Sequence, residues 1–162
     1  MSAPTSPSPV RLALFEPDIA ANTGAILRLS ACLGVGVDVI EPCGFVWSAP
    51  KLRRAGMDYL DRVDLVRHAS WQRYQGAAAG RRLVLLSTTA ETPLPRFAFR
   101  AGDTLLLGRE SAGVPDDVRA ACPAGVRVPL RAGERSLNVA LAAALVLGEA
   151  LRQLDAFPTE PP

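Results

Sequence analysis

Two short apolar runs and one long alanine- and leucine-rich segment lie within residues 103–154, which read DTLLLGRESAGVPDDVRAACPAGVRVPLRAGERSLNVALAAALVLGEALRQL. Continuously hydrophobic runs of this length predict strands that are covered on both faces. The predicted elements are, in order, a strand at 103–107, a loop at 108–115, a short polar helix, a strand at 125–130, a loop at 131–135 and a helix that opens at Ser136. Small ligands bind at the sheet edge from which such loops emerge.

The chain before this segment alternates between strand and helix patterns in the same way. We predict strands at 10–15, 36–40, 63–66 and 82–86, helices at 22–33, 49–57 and 71–78, and an irregular, proline-broken stretch at 91–100. Asn22 and Ser70 are expected N-caps, and Gly34 is expected to end the first helix. This alternation predicts an α/β fold with a mostly parallel sheet flanked by helices.

Length and composition indicate one globular domain. The 162 residues carry a net charge of +2, with 49% hydrophobic and 21% charged residues. We therefore expect a single domain at 10–155 between disordered tails at 1–9 and 156–162. No segment has the length and apolarity of a membrane span. Because the overall charge is nearly neutral, any surface for nucleic acid must be local.

The cysteines and the histidine are too few and too dispersed for a metal site. Cys32, Cys43 and Cys122 form no CxxC pair, and His68 is the only histidine. This distribution argues against zinc and fits a reducing, cytoplasmic environment.

The final helix is apolar on nearly all sides up to Leu147. One face can pack on its own sheet, whereas the other face needs a further partner. Gly148 costs about 1 kcal/mol relative to alanine within a helix, which a close helix–helix approach would explain. These features favour a homodimer through the C-terminal helix; the alternative is a helix covered entirely by its own chain.

The glycine-bearing loops match neither of the common nucleotide-binding motifs. The run 34–36 lacks a third glycine and precedes a strand, and the loop at 108–113 is not followed by Lys-Ser or Lys-Thr. Gly108 and Gly113 would instead let the backbone approach a ligand closely, or simply allow a tight turn.

Taken together, the motifs resemble those of the SPOUT RNA methyltransferases. The matching segments are 105–115, 126–130, 135–140, and an N-terminal motif that runs from 16–19 through Asn22, Thr23 and Gly24 to Arg28. Residues 53–59, RRAGMDY, resemble a segment of the branch that methylates the 2′-O of the tRNA wobble nucleotide. The resemblance covers about residues 11–154.

This resemblance implies a C-terminal trefoil knot and the methyl donor S-adenosylmethionine, with S-adenosylhomocysteine as product and no metal. The implied substrate is the wobble cytidine or uridine of tRNA, with leucine tRNAs as the expected isoacceptors. The implied cofactor-binding residues are Leu86, Gly108, Gly113, Val128, Leu130, Ser136 and Leu137. For Leu86 and Val128, core packing is the simpler interpretation of the sequence alone, and Ser136 is equally typical of a helix N-cap.

The resemblance also implies catalytic residues, namely Arg28, Asn22, Glu110, Ser136 and Asn138. We expect Arg28 to position the target phosphate and stabilise the emerging alkoxide, because a guanidinium does not normally release a proton. Glu110 is expected to hold Asn22 or Arg28, or to face the sulfonium. Asn138 is expected to bind loop carbonyls or the substrate. The expected RNA contacts are Arg53, Arg54, Arg131 and Arg135.

Two other functions remain open from the sequence. The target could be another tRNA or rRNA position, or the chain could be a non-catalytic RNA-binding protein on the same fold. The chain also departs from the family pattern at Val139-Ala140, which follow Ser-Leu-Asn where many relatives have Leu-Ser, and at two further positions. Arg109 stands where a small residue is common, and Gly148 stands where an aromatic residue is common.

Overall fold

The structure is a computed structural model that describes residues 8–48, 50, 52 and 59–159. Within these residues the strands are β1 Arg11–Phe15, β2 Gly36–Ile40, β3 Leu65–His68, β4 Arg82–Leu86, β5 Thr92–Pro93, β6 Asp103–Leu107 and β7 Ala124–Arg127. The α-helices are α1 Ala20–Leu33, α2 Trp71–Ala77, α3 Asp116–Ala120 and α4 Val139–Gln153. Single turns of 3-10 helix lie at Leu60–Arg62 and Leu94–Arg96.

The strands of the described residues form one seven-stranded sheet in the order β3-β2-β1-β6-β4-β7-β5, and every recorded pair is parallel. The prediction of a parallel α/β sheet is therefore confirmed. The strand ends are in register, since Leu107 aligns with Leu14 on one side and with Leu86 on the other. The loops that follow β1, β4, β6 and β7 consequently emerge at the same edge.

Alternate residues of β1 pack into two separate cores. Leu12 and Leu14 belong to a cluster that includes Leu27 of α1 and Leu147 of α4. Ala13 and Phe15 belong to a second cluster with residues of α2 and α3. Helices thus cover both faces of the sheet, which explains why its central strands are hydrophobic without alternation.

Both long helices begin at positions that differ from the prediction. Helix α1 starts at Ala20 with Ile19 as its N-cap, because the N–H groups of Asn22 and Thr23 already donate to the Ile19 carbonyl. Asn22 is therefore not a cap. Helix α4 starts at Val139 with Asn138 as N-cap, so Ser136 precedes the helix and does not cap it.

Other boundary signals were read correctly. Gly34 ends α1 in the left-handed conformation at φ 66°, and its N–H donates to the Ser30 carbonyl. The Ser70 side chain caps α2 by accepting from the Arg73 N–H.

Some strand predictions were shifted. The strand expected at 125–130 is Ala124–Arg127, because its pairing ends there and Pro129 has no N–H to donate to a neighbouring strand. The strand expected at 63–66 is Leu65–His68, where it pairs with β2. The stretch 91–100 contains the two-residue strand β5 and one 3-10 turn. The helix expected at 49–57 lies almost wholly outside the described residues.

None of the helices described is both long and apolar enough to cross a bilayer. Across residues 8–48, 50, 52 and 59–159, no three His, Cys, Asp or Glu side chains come together as a metal site would require.

Candidate functional site

A cavity of about 490 Å³ opens at the carboxyl edge of the sheet. Three loops line it: the loop after β4, the loop after β6, and the segment between β7 and α4. All residues expected to bind the cofactor lie on its wall, namely Leu86, Gly108, Gly113, Val128, Leu130, Ser136 and Leu137. Of the five expected catalytic residues, Ser136 is therefore on this wall, and Asn22, Glu110 and Asn138 also line it.

The cavity combines apolar walls with a polar rim. Leu86, Val126 and Val128 supply aliphatic surface, while Ser87 and Thr88 supply hydroxyl groups. A volume of several hundred Å³ and a lining of this kind are typical of pockets for small organic ligands. Neither Ser87 nor Thr88 was among the residues that the sequence predicted to lie at a ligand site. Their position directly after β4 was the available signal, because ligands lie outside the carboxyl ends of strands.

The loop after β6 is a tight turn that needs its two glycines. The N–H groups of Arg109 and Gly113 each donate to the other residue's carbonyl at 2.9 Å, and Gly113 has a φ of 63°. A Cβ on Gly108 would lie 2.7 Å from the carbonyl carbon of Gly113. The interpretation of these glycines as a tight turn is therefore confirmed, and the same turn forms part of the cavity wall.

Reciprocal hydrogen bonds join this loop to the turn after β1. The Asp18 N–H donates to Glu110 Oε2 at 3.0 Å, and the Glu110 N–H donates to Asp18 Oδ1 at 3.1 Å. Ser111 Oγ also donates to Asp18. These contacts hold two segments that are far apart in sequence against each other beside the cavity.

The pKa values of the two carboxyl groups in this link are shifted in opposite directions. Burial raises the pKa of Glu110, and its hydrogen bond with the Asp18 side chain raises it further. The bond to Glu110, followed by the bond to Ser111, lowers the pKa of Asp18. The burial of Glu110 and the hydrogen bonds of Asp18 therefore act on the two pKa values in opposite directions.

Asn22 connects Glu110 to the start of α4. Its Nδ2 donates to Glu110 Oε1 at 3.3 Å, and its Oδ1 accepts from Asn138 Nδ2 at 2.9 Å. Asn138 Oδ1 in turn accepts from the N–H groups of Ala140 and Leu141. Of the alternatives expected for Glu110, the structure therefore shows the contact with Asn22. Asn138 bonds Asn22 and caps α4, and it was expected to bind loop carbonyls or the substrate.

The dual role of Asn138 can be separated by two substitutions. We expect Asn138→Ala to lower the free energy of unfolding by about 1 kcal/mol, because the cap is lost. Asn138→Asp keeps an oxygen for the cap but removes the amide that donates to Asn22. It should therefore retain most of the stability yet weaken S-adenosylhomocysteine binding or turnover. Thermal denaturation and calorimetry measure the two effects, and equal destabilisation by both variants would contradict this division.

The expected arginines that the structure describes, Arg28, Arg131 and Arg135, lie outside the cavity lining. Arg28 is exposed on α1, and its guanidinium lies 5.1 Å from the centroid of the Tyr59 ring. Arg131 and Arg135 are exposed in the segment that precedes α4. Arg53 and Arg54 fall outside the described residues.

Arg109, which departs from the family pattern, contributes to the wall of the cavity. Its guanidinium forms an ion pair with Glu16 and lies 5.6 Å from the Phe15 ring centroid. Glu16 adopts a φ of 43°, an uncommon conformation for a non-glycine residue. Arg109 thus links the loop after β6 to the end of β1, a role that sequence spacing did not indicate.

Comparison with known proteins identifies close relatives along nearly the whole chain. A profile of the SpoU rRNA Methylase family matches residues 9–148. The chain is 58% identical over 148 residues to a tRNA (cytidine(34)-2'-O)-methyltransferase of Beijerinckia indica, covering 90% of this chain and 92% of that protein. It is 37% identical over 147 residues to the protein of the same name from Escherichia coli K12, covering 90% and 94%.

Solved structures show the same similarity. A structure from a study of the 2-OH methylation of C/U34 on tRNA has a TM-score of 0.86 and 40% identity, covering 93% of this chain and 99% of that chain. The AdoMet complex of the SpoU methyltransferase AviRb from Streptomyces viridochromogenes has a TM-score of 0.80 and 29% identity, covering 93% and 60%. The second relative is longer, so only part of it corresponds to this chain.

Proposed function

Since this chain belongs to the SpoU rRNA methylase family, we propose that it methylates the ribose 2′-oxygen of the wobble nucleotide, cytidine or uridine, in the anticodon loop of tRNA. The observation that carries the proposal is that the residues expected to bind the cofactor all line one cavity, in a chain 58% identical to a protein with that named activity. The methyl donor is S-adenosylmethionine.

The cavity fits this donor by its chemistry. Leu86, Val128 and Leu130 would flank a flat adenine ring, and the lack of a side chain at Gly108 would let the loop after β6 approach that ring closely. The donor, when bound, supplies a methyl group on a positively charged sulfur. The carboxylate of Glu110 on the cavity wall favours that charge when it is ionised.

The chain's own residues orient the reacting groups. Asn22, Glu110 and Asn138 form a hydrogen-bonded chain that fixes the cavity rim, so they would act mainly by holding their neighbours in place. Ser136 faces the cavity and can donate or accept a hydrogen bond with the ligand. Arg28, on the same helix as Asn22, would bind the target phosphate and stabilise charge on the attacking oxygen.

The activity is tested by mapping 2′-O-methyl groups in tRNA from cells with and without this protein, starting with leucine tRNAs, and by repeating the reaction with purified components. We expect methylation at the wobble ribose only when protein and S-adenosylmethionine are both present. Methylation at a different tRNA or rRNA position would contradict the proposed substrate. S-adenosylhomocysteine that fails to raise the melting temperature would instead favour a non-catalytic RNA-binding protein.

We further propose a homodimer through α4. The helix buries Val146, Leu147 and Leu151, but Leu141 and Leu145 are 60% and 50% exposed. A second copy covering this stripe would remove the exposed apolar surface. Apart from the chain neighbours and nearby helix backbone, no heavy atom of the described residues lies within 4 Å of a Cβ built on Gly148, so packing among these residues does not explain this glycine.

Introducing charge on this stripe should separate the two copies. We expect the double substitution Leu141→Glu and Leu145→Glu to give a particle of 17.2 kDa instead of twice that mass, with loss of methyl transfer. Light scattering measures the mass. Val66→Glu is the matched control, because Val66 is 41% exposed on β3 and away from α4. A wild-type monomer, or a double variant that still dimerises, would contradict the proposal.

We also propose that the segment from β6 to α4 is threaded into a trefoil knot. The sheet order supports this, because β6 lies between β1 and β4, and β7 lies between β4 and β5. A crystal structure that traces residues 82–154 without a crossing would contradict it.

The three cysteines are free, which is consistent with the reducing cytoplasm in which we place the enzyme.

A further inference from the structure

Two stacks of arginine on aromatic rings lie on the surface beside the site. In the first, the Arg67 guanidinium lies 4.7 Å from the Trp47 ring centroid, and Trp47 stacks on Phe45 at 6.2 Å with an interplanar angle of 25°. In the second, the Tyr59 ring contacts Arg62 at 4.5 Å, in addition to Arg28. We call residues 45–47, 59, 62 and 67 the arginine–aromatic surface.

This surface is attached directly to the rim of the cofactor cavity. The Gly44 N–H donates to the Pro17 carbonyl at 2.9 Å, and a Cβ on Gly44 would lie 2.8 Å from the Cα of Asp18. Asp18 in turn bonds Glu110. The loop that carries Phe45 and Trp47 is therefore packed against the same turn that orders the cavity wall.

Both stacks lie on the side of the sheet covered by α1. Trp47, Leu60 and Leu65 all pack against the core cluster that contains Leu27 of α1. Arg67 follows Leu65 by two positions on β3, so it points to the same side as Leu65. The two stacks therefore lie on the same side of the sheet, and the Tyr59 ring of the second stack also contacts Arg28.

The N–H groups of the Arg67 guanidinium bond a carboxylate, while its side chain remains partly exposed. Its Nε donates to Glu41 Oε1 at 2.9 Å, and its Nη2 bonds the same carboxylate. Its Cζ lies 4.7 Å from the Trp47 ring centroid, and the side chain is still 43% exposed. The accessible guanidinium plane therefore already has its charge compensated by Glu41. Such a plane suits stacking by a flat ring better than binding of a phosphate.

Arg62 has the opposite character. It is exposed, and it pairs with no carboxylate among residues 8–48, 50, 52 and 59–159. Its contact with Tyr59 restricts its orientation while leaving its charge uncompensated by these residues. Such a guanidinium suits a phosphate, to which it can donate two hydrogen bonds.

We propose that the arginine–aromatic surface binds single-stranded nucleotides that neighbour the methylated one, with an unpaired base stacked on Arg67 and a backbone phosphate at Arg62. Unpaired loop bases are recognised by stacking on aromatic rings and guanidinium planes, and phosphates by arginine. The inference rests on the proposed function, because it takes the RNA partner from there. It also adds residues that motif spacing did not predict, since neither Arg62 nor Arg67 was among the arginines expected to contact RNA.

Four variants test the two roles separately: Arg67→Ala, Arg67→Lys, Arg62→Ala and the control Arg73→Ala, which changes an exposed arginine on α2 at the opposite face. The probe is the anticodon stem-loop of the tRNA, and its Kd is measured by fluorescence anisotropy at several salt concentrations. S-adenosylhomocysteine affinity and melting temperature are measured for each variant.

We expect Arg67→Ala to raise the RNA Kd about tenfold with an unchanged salt slope, because one stacking contact is lost. Arg67→Lys should be almost as weak, because lysine keeps the charge but has no planar group. Arg62→Ala should raise the Kd about fivefold and reduce the salt slope by about one, as expected for a lost phosphate contact. Arg73→Ala should remain within about twofold of wild type, as should S-adenosylhomocysteine binding in all four variants.

Unchanged RNA affinity in the Arg67 and Arg62 alanine variants would overturn the proposal, as would full rescue by Arg67→Lys or an equal loss in Arg73→Ala. If the wild type binds RNA through this surface but transfers no methyl group, the proposed function fails while the surface remains. A wild type that binds no RNA would overturn both.

Discussion

Gly108→Ala should weaken S-adenosylhomocysteine binding by about 100-fold or more, because the added methyl group collides with backbone that cannot move freely. The new Cβ would lie 2.7 Å from the carbonyl carbon and 2.8 Å from the Cα of Gly113. The two hydrogen bonds between Arg109 and Gly113 and the link from Glu110 to Asp18 fix that backbone. Relief of the collision must therefore displace the cavity wall. Overpacking of this kind typically costs 1–3 kcal/mol of stability as well.

Calorimetric titration with S-adenosylhomocysteine measures the affinity, and thermal denaturation measures the stability. The matched control is Gly76→Ala, since Gly76 lies within α2 and no heavy atom of the described chain is within 4 Å of its added Cβ. This control should be stabilised by up to about 1 kcal/mol and should bind the ligand normally. Normal binding by a folded Gly108→Ala protein would show that the turn does not form the cofactor wall.

The features that sequence could predict are those that depend on local patterns. The apolar runs at β1, β4 and β6, and the glycine at the end of α1, are signals that a few neighbouring residues contain. The motif resemblance to RNA methyltransferases was confirmed by family membership. The resemblance supplied the expected cofactor residues, and they share one cavity because parallel strands direct their following loops to one edge of the sheet.

The features that sequence could not predict depend on contacts between distant segments. Asn22 was expected to cap α1, and the resemblance offered its bond to Glu110 only as one alternative, but its bond to Asn138, 116 positions away, was not expected. Ser136 and Asn138 are both typical N-caps two positions apart, and only the folded backbone decides that Asn138 accepts from Ala140 and Leu141. The pairing of Arg109 with Glu16 has the same origin.

The contact between Trp47 and Arg67 on the edge strand β3 could also not be predicted from neighbouring residues in the sequence. Nothing in the spacing of Trp47 and Arg67 indicates that a ring and a guanidinium twenty positions apart are in contact. The contact arises because β3 pairs with β2 and the loop after β2 folds back over that edge. The family motifs pointed only to arginines within or beside them. The structure adds Arg62 and Arg67, which are identified by their contacts with Tyr59 and Trp47.

Arg28→Ala should reduce kcat by about 100- to 1000-fold while leaving S-adenosylhomocysteine affinity within about twofold, because removal of a group that stabilises developing negative charge has effects of that size. Arg28 does not contribute to the lining of the cofactor cavity, so cofactor binding should be insensitive to it. Arg28 lies on α1, six positions after Asn22, and its guanidinium contacts the Tyr59 ring. That placement suits a group that meets the RNA rather than the cofactor.

Turnover at saturating RNA separates this role from simple RNA binding, because a binding contact would raise KM and leave kcat unchanged. Arg28→Lys should recover only part of the lost kcat, since lysine retains the charge but lacks the fork that binds a phosphate with two hydrogen bonds. Arg73→Ala on the opposite face provides the control for general loss of positive charge. Near-normal turnover by Arg28→Lys would mean that the residue supplies charge alone, and near-normal turnover by Arg28→Ala would remove it from the reaction altogether.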